Sequence, residues 1–216
     1  VDVDRMAGLL SGTSRLAETM PGFEERPQQI AMARAVADAI NQEKSLIVEA
    51  GTGVGKSLAY LLPAALHALN NNARVVISTN TINLQEQLVT KDVPALVSAL
   101  AGAEDVPAEE LRFTLLKGRA NYLCFRRWSH AHINSEPDAE TARVMGKCLV
   151  WLGSTATGDR SELALPRGDG FVFSRISAQG AQGCPATGGP CFLRRARYGA
   201  GAAHIIVINH ALLMSD

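Results

Sequence analysis

Residues 49–57 are the segment of this chain best suited to chemistry. They read Glu-Ala-Gly-Thr-Gly-Val-Gly-Lys-Ser and follow the apolar run Leu-Ile-Val at residues 46–48. In a phosphate-binding loop, a strand delivers the chain to a tight turn, and glycines let the backbone N–H groups approach phosphate oxygens closely. The helix that follows presents its positive end to the anion. The segment therefore predicts a site for a nucleoside triphosphate.

Two side chains of this loop carry the predicted chemistry. Lys56 would reach the β- and γ-phosphates as a positive charge, and the Ser57 hydroxyl would coordinate Mg²⁺. Position 50 is alanine where the pattern begins with glycine, so an accidental glycine-rich turn is the alternative. The strand before the loop and the helix after it favour the binding loop. The predicted backbone contacts to the phosphates are Ala50, Gly51, Thr52, Gly53, Val54 and Gly55.

Apolar periodicity places the loop within an alternation of helices and strands. A helical pattern from Pro27 leads to a predicted strand at residues 46–48, and a second helix follows the loop as far as the asparagines at 70–72. A strand at 74–78, a helical stretch from about 82 to 100, and strands at 112–116 and 204–208 complete the pattern. This order favours an α/β fold with a parallel, doubly wound sheet. Residues 1–22 lack a clear period and are interpreted as a loosely packed lead-in.

Composition restricts the class of protein. The 216 residues are 47% hydrophobic, enough for one core and a small appended unit. The 21 basic and 21 acidic residues cancel, so net charge does not indicate a nucleic-acid partner. No apolar stretch approaches the roughly 18–20 residues that span a bilayer. The first residues also lack a signal-sequence pattern, and a cytoplasmic location is therefore predicted.

Between residues 121 and 198 the strand pattern disappears. Residues 138–153 have helical spacing, and glycine and proline are dense from 166 to 190. We interpret this region as an insertion within the sheet domain. All four cysteines of the chain lie in it, at Cys124, Cys148, Cys184 and Cys191. In a chain without a secretion pattern, cysteines favour metal binding or chance placement over disulfides.

Two basic segments flank this insertion. Residues 117–128 and 191–198 hold seven cations and no acid, interleaved with aromatic side chains. Cations follow phosphates, and exposed rings stack on bases for about 1–3 kcal/mol each, so the pattern indicates a single-stranded nucleic-acid site. The alternative is a solvated basic face over a small aromatic core. The residues are Lys117, Arg119, Arg126, Arg127, Arg194, Arg195 and Arg197, with Tyr122, Phe125, Trp128, Phe192 and Tyr198.

A set of motifs in fixed order resembles the DinG/XPD-type superfamily 2 DNA helicases, over about residues 23–216. The resemblance implies the amino-terminal part of a RecA-like motor domain, interrupted by an iron-sulphur insertion. It implies ATP hydrolysis coupled to movement along single-stranded or forked DNA, in the 5′ to 3′ direction, in repair or replication. The motifs are Arg-Pro-Gln-Gln at 26–29, residues 49–57, Ser-Thr-Asn-Thr at 78–81, Gln-Glu-Gln at 85–87, residues 117–124, Cys-Pro at 184–185, Cys-Phe at 191–192 and Asn-His-Ala-Leu-Leu at 209–213.

The resemblance also implies domain boundaries and residue roles. The lead-in would be residues 1–22, the first motor segment 23–120, the insertion 121–198 and the return to the motor 199–216. Arg26 and Gln29 would contact adenine, which makes ATP the expected nucleotide. Alternatively, the polar residues after the strand at 74–78 merely cap the next helix. The implied DNA contacts are Thr79, Asn80, Thr81, Gln87, Lys117, Arg119, Tyr122, Arg126 and Arg127.

A [4Fe-4S] cluster requires four ligands, usually thiolates. The resemblance places one at Cys124 and three before the return strand, where only Cys184 and Cys191 lie. Cys148 is the remaining candidate, although it belongs to an apolar helical stripe that favours a buried core residue. Zinc is the weaker alternative because close cysteine pairs are lacking. Its set could be completed by His130, His132 or His204.

The sequence has no Asp-Glu-Ala-His segment, the acidic motif expected to hold Mg²⁺ and orient the attacking water. It also lacks a second motor domain that would supply an arginine finger. We therefore expect an inactive piece of a longer helicase, which binds nucleotide weakly and does not hydrolyse it. Two alternatives stay open: a nucleic-acid-binding module without ATP turnover, and another phosphate-loop NTPase with a small-molecule substrate and no affinity for single strands.

Overall fold

A computed structural model describes residues 1–19, 22–101, 103, 106–134, 138–166, 168–180, 184 and 190–215, with only the backbone at residues 15, 99 and 132–134. Two compact units are formed: residues 1–115 together with the segment from 202 onward, and residues 116–201. No helix in these residues is long and apolar enough to cross a membrane.

The helices and strands alternate as the apolar pattern predicts for the first unit. The elements are α1 (Val3–Gly8), α2 (Arg15–Thr19), α3 (Pro27–Asn41), α4 (Lys56–Asn71), β1 (Val75–Thr79), α5 (Ile82–Gln87), α6 (Val93–Leu100), β2 (Phe113–Leu115), α7 (Phe125–Asn134), α8 (Ala139–Leu152), α9 (Asp169–Ile176), α10 (Phe192–Ala202), β3 (Ile205–Asn209) and α11 (His210–Leu213).

The sheet of the first unit is parallel, as predicted. Its order is β1-β3-β2, with Ile205 of β3 beside Val75 on one side and Phe113 on the other. The central strand is rich in β-branched residues, and Ile205 and Val207 are both fully buried. The carboxyl ends of β1 and β3 lie side by side, because Thr79 pairs with Asn209.

Helices α3 and α4 pack on each other in the core of this unit. Ala33 and Ala37 of α3 are fully buried, and such small side chains allow the two helices to approach closely. Leu61 and Leu62 of α4 are also fully buried in this core. The helix thus enters the core within two turns of its start at Lys56, so the position of the loop before it is fixed.

The prediction of a loosely packed lead-in is wrong. Residues 1–19 contain α1 and α2, and Met6, Leu10 and Leu16 are buried in the core of the first unit. Asp2 caps α1, accepting a hydrogen bond from the Arg5 N–H at 3.0 Å. The two helices have six and five residues, too few for a helical period to be visible in the sequence.

The strand predicted at residues 46–48 is not observed. These residues have no regular secondary structure, and no described strand runs beside them to exchange ladder hydrogen bonds. Ile47 is 99% exposed, and Leu46 and Val48 are 43% and 40% exposed. The phosphate loop is therefore positioned by α3 and α4 rather than by a paired strand.

Helix α5 continues into α6 through one π-helical turn, Leu88–Asp92. The Val93 N–H donates to the carbonyl of Leu88, five residues earlier, and Pro94 follows with no N–H to donate. The helical stretch predicted from residue 82 to 100 is confirmed. The wider turn in it was not anticipated, and turns of this kind occur frequently at functional sites.

The second unit consists of α7, α8, α9 and most of α10, around a core of its own. Helix α8 confirms the helix predicted near residues 138–153, and Asp138 caps it through the Thr141 N–H at 2.7 Å. Three isolated antiparallel bridges join the segment before α7 to later parts of the unit. One of them pairs Cys124 with Cys191.

Candidate nucleotide site and nucleic-acid interface

The loop at residues 49–57 turns through two glycines in the left-handed region. Gly53 has φ 82° and Gly55 has φ 80°, values at which a side chain would be strained. Gly55 is the N-cap of α4, so the N–H groups of the first turn have no intrahelical acceptor. These donors and the helix dipole together provide an anion-binding position in front of Lys56.

The Lys56 ammonium is held inside the loop. Its Nζ donates to the carbonyl oxygens of Ala50 and Gly51 at 2.9 and 3.0 Å. A lysine has three N–H donors, so within the described residues one remains for a phosphate oxygen. The side chain is exposed on the loop and its charge is already at the position the sequence predicts.

Arg26 and Gln29 fasten the same loop from the start of α3. Arg26 Nη1 donates to the Gly53 carbonyl at 2.7 Å, and Gln29 Nε2 donates to the Gly55 carbonyl at 2.9 Å. Gln29 is 4% exposed, so its amide is fixed by packing as well as by this bond. Both residues thus lie at the loop, where the predicted nucleotide contacts are.

A cavity of about 260 Å³ opens beside these residues. Its polar wall includes Arg26, Gln29, Ser57 and Asp92, and its apolar wall includes Phe23. Leu58, Leu61 and Ala95 complete the apolar lining, with Gly22, Glu24 and Gly55 at its edge. The cavity is next to the phosphate loop and has the mixed lining of a small-ligand site.

Tyr60 lies beside Ser57 on the same helix. Burial raises the pKa of Tyr60, while its interaction with the Ser57 side chain lowers it and the nearby Asp92 charge raises it further. The phenol therefore stays neutral near pH 7. The Ser57 hydroxyl is the predicted Mg²⁺ ligand.

The polar residues after β1 mainly organise the backbone. The Thr81 Oγ1 accepts the Leu84 N–H at 3.2 Å and caps α5, while the buried Thr79 Oγ1 donates to the Thr81 carbonyl at 3.0 Å. The alternative interpretation as a helix cap thus describes Thr81, while Thr79 stabilises the turn before it. Asn80 and Gln87 are exposed and remain candidates for contact with a DNA strand.

Two predicted DNA contacts in the second unit are wrong, because their side chains are buried. Lys117 is 3% exposed, and its Nζ lies 2.6 Å from Asp159 Oδ2 in an ion pair and also donates to Ser161. Tyr122 is 3% exposed, and its hydroxyl accepts the Lys117 N–H at 3.0 Å. An ammonium and a ring enclosed in this way cannot meet a nucleic-acid strand.

The remaining predicted contacts differ in what they already bind. Arg126 is exposed and Arg119 is half-buried. The Arg127 residue is exposed, but its guanidinium donates to the carbonyls of Ser177 and Gln179. It therefore anchors the chain at residues 177–179. Arg126 is the clearest phosphate-binding candidate among them.

The aromatic residues lie mainly in the core, as the alternative interpretation of these segments proposed. Tyr122, Trp128 and Phe192 are all buried in the second unit. Tyr198, however, is 82% exposed on α10, one helical turn after Arg194. An exposed ring beside arginines on one helix face suits stacking on a base.

The isolated β-bridge between the backbones of Cys124 and Cys191 brings the starts of two basic helices together. Helix α7 begins one residue after Cys124 and α10 one residue after Cys191. Arg126 and Arg194 therefore stand near the beginnings of adjacent helices. We define Arg126, Arg194, Arg197 and Tyr198 as the basic surface of the second unit; all four are exposed.

The four cysteines do not assemble a four-thiolate site within the described residues. Cys124 and Cys191 are neighbours, and Cys184 is exposed, but Cys148 is fully buried beside Val144 in the apolar core. Burial raises the pKa of Cys148 to about 11, which favours the thiol over the thiolate that a metal requires.

In the part of the chain that the structure describes, no three His, Cys, Asp or Glu side chains are grouped to hold a metal ion. An iron-sulphur cluster ligated by all four cysteines does not fit this arrangement. Of the histidines considered for zinc, His204 is bound to Arg112 through its ring nitrogens. The side chain of His132 lies outside the described residues, as does Pro185 of the Cys-Pro motif.

Sequence reasoning missed two acidic residues of these sites. Asp159 is the partner of Lys117, and Asp92 lines the nucleotide cavity. Neither belongs to a recognisable motif, and both are brought into place by non-local packing. Only the absence of acids near Lys117 hinted that a partner must come from elsewhere in the chain.

Comparison with known proteins agrees with this geometry. Residues 27–99 match the family described as DEAD/DEAH box helicase. The ATP-dependent helicase DinG of Mycobacterium tuberculosis is 42% identical over 214 residues, covering 90% of this chain and 31% of the relative. The ATP-dependent DNA helicase YoaA of Haemophilus influenzae is 34% identical over 218 residues, covering 99% of this chain and 32% of the relative.

A third relative, the 3′-5′ exonuclease DinG of Bacillus subtilis, is 34% identical over 206 residues, covering 93% of this chain and 21% of the relative. The chain thus spans at most about a third of the length of these curated relatives.

The parallel sheet, the phosphate loop and the family match define a domain of the DEAD/DEAH box helicase class. Within that class the chain is a DinG-type helicase homologue, and the resemblance predicted from its motifs is confirmed.

Proposed function

We propose that this chain is the ATP-binding part of a DinG-type DNA helicase. The observation that supports this most strongly is the convergence of three side chains on the loop backbone. Lys56, Arg26 and Gln29 bond its carbonyls within 3.0 Å, beside a cavity large enough for part of a nucleotide. Their roles follow from this placement.

In the proposed complex, the β- and γ-phosphates lie against the loop N–H groups and the start of α4. Lys56 supplies the third donor of its ammonium, and Ser57 faces the Mg²⁺ that accompanies the triphosphate. Arg26 and Gln29 keep the loop in its binding shape and border the space for the base. The chain thereby orients the triphosphate.

We further propose single-stranded DNA as the second ligand, bound by the basic surface of the second unit. Arg126, Arg194 and Arg197 are exposed cations without an acid nearby in sequence, and Tyr198 offers a stacking ring. Asn80 and Gln87 are proposed contacts in the first unit. The resemblance supports 5′ to 3′ movement of a complete helicase on such a strand.

For this chain alone we propose nucleotide binding without sustained hydrolysis. The printed sequence contains no Asp-Glu-Ala-His segment to orient an attacking water. An iron-sulphur cluster with Cys124, Cys184 and Cys191 among its ligands stays a proposal from the resemblance, and iron and acid-labile sulphide in anaerobically purified protein test it. Absence of both would exclude it.

The test of this proposal measures hydrolysis and binding together. Phosphate release from ATP should stay at background with and without a single-stranded oligonucleotide, while ATP binds and Lys56→Ala weakens that binding. DNA-stimulated hydrolysis that Lys56→Ala abolishes would contradict the proposed inactivity. Failure of any nucleotide to bind would contradict the proposed site.

A further inference from the structure

The nucleotide cavity contains an acidic side chain with an unused acceptor. Asp92 lines the cavity, and its Oδ2 is shielded from solvent without a hydrogen-bond partner among the described residues. A shielded carboxylate oxygen without a donor is costly, and nearly all such groups in proteins are satisfied. Asp92 as a whole is only half-buried, so a turn of its carboxylate brings this oxygen to the cavity, where a donor supplied by the ligand would satisfy it.

The local backbone explains why this carboxylate stands there. Asp92 is the last residue of the π-helical turn between α5 and α6. The extra residue in that turn rotates the following chain relative to a regular helix, and π-turns are enriched at functional sites. Asp92 lines the same cavity as Gly55 and Ser57, so the carboxylate lies close to the phosphate loop.

The chemistry of the Asp92 carboxylate restricts which group of a ligand can bind it. An ionised carboxylate only accepts hydrogen bonds, and it repels the anionic phosphates. The phosphates have their own place at Lys56 and the loop N–H groups. The ligand edge facing Asp92 must therefore be an uncharged or cationic donor, and the base is the part of a nucleotide that can provide one.

The other lining residues suit a base. Phe23, Leu58 and Leu61 offer apolar surface for a flat ring, while Arg26 and Gln29 stand at the loop side. Purine bases differ at one edge: adenine carries an exocyclic amino donor where guanine carries an oxygen acceptor. A carboxylate that faces this ring position accepts from the adenine amino group and repels the oxygen of guanine. Guanine also has an amino donor elsewhere on the ring, and inosine triphosphate, which lacks that group, is therefore the stricter comparison.

We propose that Asp92 is a specificity-determining residue that accepts a hydrogen bond from the exocyclic amino group of adenine. This rests on the proposed function, because it names the base selected at the same site. Asp92 then selects ATP over nucleotides with an oxygen at that ring position. A role as a Mg²⁺ ligand is the competing use of the same carboxylate.

The experiment compares ATP, GTP and inosine triphosphate as competitors of a fluorescent ATP analogue on the 216-residue chain. Inosine triphosphate has an oxygen in place of the adenine amino group. The unchanged chain should bind ATP about tenfold more tightly than either, the size expected for one hydrogen bond to a charged acceptor. Asp92→Asn should bring the three affinities close together, since its amide can also donate to an oxygen.

Asp38→Asn is the matched control, because it makes the same change at an exposed position of α3 that does not line the cavity. It should leave the preference for ATP intact. If Asp92→Asn fails to fold, the comparison of ATP with inosine triphosphate on the unchanged chain still decides. Equal affinity for the two would overturn the proposal.

The outcomes separate this inference from the proposed function. A nucleotide affinity that does not depend on Lys56 would refute the site itself. Lys56-dependent binding in which Asp92→Asn weakens all three nucleotides equally would assign the carboxylate to Mg²⁺ and overturn base selection. Loss of the ATP preference alone, with binding retained, supports it.

Discussion

Gln29 and Gly55 constrain each other at the nucleotide site. The Gln29 amide donates to the Gly55 carbonyl at 2.9 Å, and a Cβ on residue 55 would lie 2.1 Å from the same Nε2. Gly55 also has φ 80°. The glycine of the phosphate loop is therefore required by backbone conformation and by a buried neighbour, independently of any ligand.

Gly55→Ala should lower both stability and nucleotide affinity. The left-handed conformation alone costs a residue with a Cβ about 1–2 kcal/mol, and displacement of Gln29 adds to this. Urea unfolding and ATP titration measure the two effects. Gly146→Ala is the control: this glycine is exposed in α8 with open space around it, and alanine should stabilise the helix by about 0.5–1 kcal/mol. Equal effects of the two changes would contradict the constraint.

Breaking the Lys117–Asp159 pair should destabilise the second unit. Asp159→Ala leaves a buried ammonium without its counter-ion, a change that typically costs about 3–5 kcal/mol. Asp4→Ala is the control, since it breaks an exposed pair with Arg34, for which about 1 kcal/mol or less is expected. Denaturant unfolding followed by far-UV circular dichroism reports on both units, and tryptophan fluorescence reports on the second unit, where both tryptophans lie.

The burial of Lys117 predicts that Arg126, rather than Lys117, contacts DNA. Lys117→Met leaves Asp159 without its counter-ion, so circular dichroism first checks that the variant is folded. In folded protein it should leave oligonucleotide affinity almost unchanged, because Lys117 is buried. Arg126→Gln should weaken it and lower the slope of log affinity against log salt by about 0.7, the value for one phosphate contact on a single strand. Filter binding at several salt concentrations measures this, with Arg175→Gln on α9 as an exposed control. A larger loss for Lys117→Met than for Arg126→Gln would reject the basic surface.

The cysteines should differ sharply in reactivity. Cys184 is exposed, whereas Cys148 is fully buried with its pKa raised to about 11 by burial. Because the thiolate is the nucleophile, iodoacetamide at pH 8 should label Cys184 rapidly and Cys148 only after unfolding. Mass spectrometry of peptides over time measures the order. Labelling of Cys148 at the rate of Cys184 would show that the thiol is not in the core.

Ionised Glu162 should stabilise the second unit, and this contribution should be lost in acid. Burial raises its pKa, but hydrogen bonds from Thr157, Thr155 and Trp151, together with the Lys117 charge, give a net lowering. A carboxyl whose folded pKa is lowered stabilises the fold above its unfolded pKa of about 4.3, and the contribution disappears as pH falls through the folded pKa. The stability difference between the unchanged chain and Glu162→Gln should therefore shrink below pH ~4.

An NMR titration provides the direct check. Thr157→Val removes one donor to the carboxylate, and it should move the pKa of Glu162 back towards its ordinary value. An unchanged titration curve in that variant would contradict the assigned cause.

Much of the first unit follows from local sequence patterns. The helix from Pro27, the helix after the loop and the three parallel strands each have a period or a β-branched run long enough to be read. The prediction of a strand at 46–48 is wrong because a strand needs a neighbouring strand to pair with, and no local pattern specifies that neighbour. The buried Met6 was missed because α1 is too short to show a period.

The candidate sites also contain some residues that a local pattern predicts and others that only the folded structure reveals. Lys56, Ser57 and the glycines belong to a contiguous motif, so their positions relative to one another are fixed by local geometry. Lys117 and Tyr122 were misassigned because burial is a property of the whole unit and charge alone does not reveal it. Asp92 was missed because a single acid in a helix carries no signal until the π-turn places it in the cavity.

The proposed ATP site is tested most directly by calorimetric titration of the chain with ATP in the presence of Mg²⁺, alongside Lys56→Ala. One site per chain is expected, and its affinity should fall by at least about tenfold in the variant, which loses a charged hydrogen bond to phosphate. Identical affinity for the two proteins would contradict a site built on this loop, as would the absence of any heat of binding.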